Sequence, residues 1–265
     1  MRLTIHHTTR YSFDNPVPFG LQQLRKTPKS TPNQHILEWH TRIIGGQKEL
    51  VFEDHHNNVI ELISFDPGVE TLELVSEGRV ELNDTHGVVG RHRGPAPLWL
   101  YARPTQLTEA RAGVRDMIRD LDDRNTVDML HTLSARIRSK VTYEIGVSQP
   151  DWSAEDVIKA GGGVCQDHAH VFIACARQMG FAARYVSGYL LLDDRTTQDA
   201  MHAWAEAHVE GLGWVGFDVS NGISPDTRYV RVATGLDYSD AAPVSGMRMG
   251  DAGEALNVQI QVAQQ

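Results

Sequence analysis

Residues 161–220 constrain this chain more than any other stretch. Gly161-Gly162-Gly163 ends one short helical segment, and Cys165 heads the next. After Cys165, Ala169, Phe172, Ile173, Ala176 and Met179 recur at helical spacing, and Gly180 stands where a helix C′ residue belongs. Three strand-like runs follow, at 183–192, 202–209 and 214–220. The turn Glu210-Gly211-Leu212-Gly213 joins the last two as a hairpin. A glycine turn, a helix headed by cysteine and an antiparallel hairpin are therefore expected in that order.

That order carries chemistry. A thiol attacks a carbonyl as thiolate, and a free cysteine ionises only near pH ~8.5. A sulfur at a helix start lies at the positive end of the macrodipole, which favours the anion. The preceding glycines let backbone approach a substrate, and free N–H groups of the first turn can hold an oxyanion. In the hairpin, His202, Trp204 and Glu206 alternate with Ala203, Ala205 and Ala207. An even antiparallel register puts Asp218 on the His202 face, opposite either His202 or Trp204. Both placements let the carboxylate fix the imidazole, whereas a one-residue slip would separate them. A lone helical cysteine is usually a small buried hydrophobe; the ordered set Cys165, His202, Asp218 is far more specific.

The rest of the chain divides by pattern. Residues 1–97 read as β: Leu3, Ile5, His7, Thr9, Tyr11 and Phe13 alternate, and further strands are expected at 35–44, 49–53, 59–65 and 71–82. Residues 54–58, with His55 and His56, have turn chemistry. Pro95, Pro97 and Pro104 mark a boundary. Helices are expected over 109–121 with Thr108 as cap, over 127–140, and after Ser153, which has Asp156 three residues on. The tail from 226 is mixed, with a last strand at 255–262. The expected fold class is α+β, with an N-terminal β domain over 1–97 and a catalytic core over 98–265.

Composition narrows the function. With 34 acidic against 25 basic side chains and a formal charge of −9, the chain lacks the basic excess of a nucleic-acid binder. No run approaches the roughly 18 apolar residues of a membrane span, and the first residues lack the apolar core of a secretory signal. The two cysteines, Cys165 and Cys175, do not make a disulfide framework, which fits a reducing cytoplasm. His168 and His170 lie two positions apart, on different faces of a helix, so no metal or other cofactor is expected. Cys175 is expected buried and inert, and Asp167 to bind a backbone N–H near the helix start.

The same residues carry a family resemblance. Gly163-Val164-Cys165-Gln166-Asp167-His168-Ala169 resembles the nucleophile motif of transglutaminase-like proteins, with Arg184-Tyr185-Val186-Ser187-Gly188-Tyr189 as its continuation. Met201-His202-Ala203-Trp204-Ala205-Glu206 resembles the histidine motif, and Gly213-Trp214-Val215-Gly216-Phe217-Asp218 the aspartate motif. The stretch from Tyr11 to Leu24-Arg25-Lys26-Thr27-Pro28 is similar to the β domain that precedes the core in bacterial members, and Gly235-Leu236-Asp237-Tyr238-Ser239-Asp240 to a tail segment of that group. The resemblance implies a β-sandwich-like domain before a papain-like core. It implies Cys165 as nucleophile, His202 as acid and base, and Asp218 as orienting residue. Outside animals it favours a cysteine peptidase or amidase acting on a peptide or protein with an amide or isopeptide bond.

The sites around the triad stay open at this stage. Gly163, Val164, Tyr143 and Trp152 are candidates for the oxyanion site or substrate groove, Trp204 and Trp214 for its walls, and Glu206, on the His202 face, for tuning the site. Transglutaminase or deamidase activity, and a non-catalytic peptide-binding scaffold, are the alternative functions.

Overall fold

A computed structural model describes residues 1–121 and 126–265. The N-terminal half is two antiparallel sheets laid face to face. Its strands are β1 (Arg2–Val17), β2 (Gly20–Leu24), β3 (Gln34–Ile44), β4 (Gly46–Glu53), β5 (Val59–Phe65) and β6 (Val69–Leu82), followed by the short β7 (Val88–Gly90). Helices α1 (Ala112–Ile118) and α2 (Thr126–Lys140), strand β8 (Thr142–Tyr143), helix α3 (Ala154–Ala160) and strand β9 (Gly162–Gly163) lead to α4 (Cys165–Gln178). Then come β10 (Ala183–Leu190), β11 (Thr197–Gln198), β12 (His202–Val209), β13 (Gly213–Phe217), β14 (Tyr229–Gly235), α5 (Tyr238–Ala241), β15 (Val244–Arg248) and β16 (Glu254–Gln264).

The first sheet has the order β11-β16-β1-β6-β3, the second β15-β2-β5-β4 and the core sheet β14-β10-β12-β13-β7. The alternation read in β1 holds along the strand: Leu3, Ile5, His7, Thr9, Tyr11 and Phe13 share one buried face. That face serves two cores. Tyr11, Phe13, Leu72 and Leu74 pack against Leu24, Ile63 and Phe65 of the second sheet. Leu3, Ile5, Val80, Leu82, Ile260 and Val262 join α4 and the core sheet in the large cluster. The polar residues His7 and Thr9 fall between the two. They are tied to buried Lys26 and Tyr189 by Lys26 Nζ–Thr9 Oγ1 at 3.0 Å and His7 Nδ1–Tyr189 Oη at 3.0 Å.

Three features differ from the sequence reading. The tail strands β15 and β16, grouped by sequence with the core over 98–265, ladder onto β2 and β1, while β7 pairs with β13 of the core sheet. Hydrogen-bond partners so far apart in sequence leave no local trace. The helix expected over 109–121 shrinks to α1, because Thr108 closes a 3₁₀ turn with Thr105. The α1 start is capped instead from α3: the Glu155 carboxylate accepts the N–H groups of Arg111, Gly113 and Val114 at 2.8–2.9 Å. The strand expected over 214–220 leaves the ladder after Phe217.

Two amides from the N-terminal half close the exposed edge of β14. Gln34 Oε1 accepts the Arg231 N–H and its Nε2 donates to the Arg231 carbonyl, both at 2.8 Å. Asn58 repeats the pattern on Thr234, at 2.8 and 2.7 Å. Each side chain imitates a strand partner, so the sheet edge is satisfied without another strand.

Candidate active site

Cys165 is held where it is by the turn before it. Gly161 closes α3 in the left-handed conformation (φ 73°), as a helix C-cap requires. Gly162 and Gly163 then run parallel to Thr142 and Tyr143 as a two-residue ladder. Asp167 Oδ2 accepts the Val164 N–H at 2.7 Å and caps α4. A Cβ on Gly163 would lie 2.7 Å from that carboxylate, so only glycine leaves the cap in place. Cys165 is the first helical residue and is partly open to solvent. Its N–H belongs to the first-turn donors that a helix cannot satisfy internally.

The α4 helix lies on the alanine face of β12. Ala203, Ala205 and Ala207 join Ala169, Phe172, Ile173 and Ala176 in one cluster, and Phe172 stacks on Phe217 at 4.9 Å. Small residues on the strand let the helix come close. His168 ties the helix start to its surroundings: Nε2 donates to the Val141 carbonyl at 2.9 Å, and Nδ1 accepts from Ser220 Oγ at 2.8 Å. His170 goes elsewhere, accepting the Tyr238 N–H at 3.2 Å. Burial pushes both imidazoles below their ordinary value, His170 to about 4.

The hairpin brings the remaining two residues in. The β12–β13 ladder ends with Ala205 paired to Phe217, and Asp218 follows directly, on the side of the hairpin that carries His202. His202 Nε2 and Asp218 Oδ2 are 2.6 Å apart. Cys165 is near enough to act on the His202 charge, and with Nε2 engaged by Asp218, Nδ1 is the ring nitrogen left free. Burial works against the imidazolium, but the adjacent Cys165 thiolate and the bonded Asp218 outweigh it and raise His202 to about 10. Burial works against ionised Asp218 too, yet the His202 bond leads a set of interactions that holds it below the usual carboxylate range.

Two members of this set were not foreseen. Tyr229 Oη donates to Asp218 Oδ2 at 2.7 Å, and Asn221 gives that oxygen its Nδ2–H at 2.7 Å and Oδ1 its backbone N–H at 3.2 Å. Both lie past the hairpin, in a stretch with no periodicity to flag them.

The other candidates separate. Tyr143 is half exposed; burial raises its phenol first and the Cys165 charge second, which puts it in electrostatic reach of the sulfur. Trp152 packs on the main apolar cluster. The Val164 N–H is spent on Asp167 and the Gly163 carbonyl on Glu144 N–H at 2.8 Å, so Val164 is not an oxyanion donor. Trp204 is 3 % exposed among Val186, Leu190 and Tyr229 and backs the His202 ring. Glu206 and Trp214 belong to a different cluster. Glu206 bonds Arg184 at 2.6 Å and Arg231 at 2.9 Å, and the Arg184 guanidinium lies 3.8 Å over the Trp214 ring. Opposite charge draws Glu206 to the guanidiniums and away from the thiol.

Residues 114–219, which hold Cys165, His202 and Asp218, match the transglutaminase-like superfamily core, and residues 3–81 match the bacterial transglutaminase-like N-terminal region. An uncharacterized protein of Mycobacterium leprae (strain TN) is 26% identical over 98% of both chains. Another, from Mycobacterium tuberculosis (strain H37Rv), is 28% identical over 93% of this chain and 87% of its own. The crystal structure of a "putative cysteine protease" from Cytophaga hutchinsonii superposes with a TM-score of 0.79, covering 99% of this chain and 90% of that one at 22% identity. The two share the fold.

Proposed function

We propose that this chain, which belongs to the transglutaminase-like superfamily, is a cysteine-dependent hydrolase of peptide, isopeptide or side-chain amide bonds. The observation that carries the reading is His202, bonded at Nε2 to Asp218 at 2.6 Å and within electrostatic reach of Cys165 at the α4 start. An imidazole so placed serves a thiolate nucleophile as proton donor and acceptor.

The Cys165 sulfur attacks the carbonyl carbon and the π pair moves to oxygen. The Cys165 N–H is the best-placed backbone donor for that oxyanion, with the Tyr143 phenol as the side-chain candidate. The carbonyl re-forms, the C–N bond breaks, and the leaving nitrogen takes the His202 proton. A thioester remains on Cys165. Water gives a proton to His202 as it attacks, the C–S bond breaks, and thiolate and imidazolium are restored. An amine in place of water would make the same site a transglutaminase. Among the described residues no helix is long and apolar enough to cross a membrane; the proposed cytoplasmic location rests instead on the two free cysteines, which suit a reducing compartment.

Trapping tests the reading. Enzyme quenched in acid after mixing with a cell-derived peptide pool should carry thioester mass on Cys165, absent in Cys165→Ala. Added amine would appear in the products if transfer competes with hydrolysis. Hydrolysis that survives Cys165→Ala but stops with a chelator would replace the thiol mechanism by a metal one; peptide binding with no adduct would leave a scaffold.

A further inference from the structure

The far side of the core sheet holds a cavity of about 480 Å³ between β14, the β7 end and the loops before β3 and β5. That is the size of a small-molecule site and too small for a folded partner. Its cations are Lys29, Arg91, Arg93, Arg184 and Arg231, and no carboxylate is among the residues that line it. The chain as a whole carries a formal charge of −9, so this concentration of positive charge runs against the composition.

The cations are of two kinds. Arg184 and Arg231 are fixed: both bond the single buried carboxylate of Glu206, and Arg184 is stacked on Trp214. The Arg184 side chain is only 8 % exposed. Two guanidiniums on one carboxylate leave a net positive charge in a poorly solvated place, which an incoming anion would offset. Arg91 and Arg93 are exposed, and among the described residues neither is paired with a carboxylate. Lys29 is paired with Glu53 at 2.7 Å and bonds Asn57 Oδ1, itself in the lining, at 3.0 Å. His56, also in the lining, is committed to Tyr101 and Asp240.

We propose that this cavity binds a small polyanion carrying two or more negatively charged oxygen groups, such as a diphosphate or a polycarboxylate. The rigid Arg184–Arg231 floor would seat one oxyanion group, since planar guanidiniums suit bidentate contact with phosphate or carboxylate. The free Arg91 and Arg93 would close on a second.

Calorimetric titration of the whole chain with inorganic pyrophosphate and with citrate, at matched ionic strength, tests this. Saturable one-to-one binding is expected for at least one of them. The tighter probe then tells whether the anion is phosphate or carboxylate in kind. Binding should weaken at least about tenfold in the double variant Arg91→Gln/Arg93→Gln, whose exposed substitutions leave the fold intact by circular dichroism. It should be unchanged in Cys165→Ala. Heats no larger than those from sodium chloride would overturn the proposal. So would affinity that survives the double variant but disappears with Cys165→Ala, which would place the anion at the thiol.

Discussion

Strand β12 presents two buried ion clusters on one face, His202 with Asp218 and Glu206 with Arg184 and Arg231. Both set a carboxylate against cationic nitrogen at 2.6 Å, and both carboxylates are fully buried. They differ in what the cation meets on its other side. His202 can lose a proton, and it faces a sulfur at a helix start. A guanidinium is a far poorer proton carrier than an imidazole, and Arg184 and Arg231 face an aromatic ring and a cavity. Ion pairing alone is thus a poor guide to chemistry. A titratable partner beside a nucleophile turns a buried pair into a reactive centre, while a fixed partner turns it into scaffold and electrostatic floor.

The contrast can be broken by mutation. Cys165→Ala should abolish turnover and thioester formation while leaving the Glu206 cluster and the unfolding midpoint nearly intact; residual catalysis at more than background would remove the thiol from the first cluster. Asp218→Asn should slow turnover by about 10² to 10⁴. The carboxylate charge favours the imidazolium, so its loss must lower the His202 titration from about 10, followed by the imidazole proton shifts. A His202 titration that stays put would mean Asp218 does not hold it.

Glu206→Gln should do the reverse. It leaves two guanidiniums short of a partner and should cost about 3–5 kcal/mol of stability in denaturant unfolding, with kcat changed little in the protein that remains folded. A large kcat loss at unchanged stability would join Glu206 to the catalytic cluster after all. Tyr229→Phe is the mildest. It removes one of the bonds to Asp218 Oδ2, so about 1.5–3 kcal/mol of stability is expected to go, with a small upward drift of the Asp218 carboxyl. Circular dichroism melts and carboxyl carbon titrations read both.

How much of this was legible beforehand follows from range and period. The α4 helix, its cysteine and the β12–β13 hairpin were readable because each is local: a glycine turn, a 3.6-residue stripe, a two-residue alternation. The choice between the two even registers was not, since it depends on how Phe217 and the alanine face pack under α4. Residues that act across distance were hidden. Asn221 reaches Asp218 from the loop after β13 and Tyr229 from the start of β14, and Glu155 caps α1 from another helix. Glu206 and Trp214 were placed at the site because alternation gives the face of a strand. It does not give the neighbour across that face, which here is Arg184 from β10. Gln34 and Asn58, which seal the β14 edge, carry no sequence signal for that role.

The central claim is that Cys165 is activated by His202, and alkylation kinetics read it most directly. The chain supplies its own control: Cys175 is fully buried, and burial pushes its thiol far up. Native protein would be treated with iodoacetamide at pH 6 and labelling followed by peptide mass. The account predicts that Cys165 labels much faster than a free thiol and Cys175 hardly at all, and that His202→Ala slows Cys165 to the free-thiol rate or below. Labelling of Cys165 no faster than a free thiol, or unchanged in His202→Ala, would contradict it.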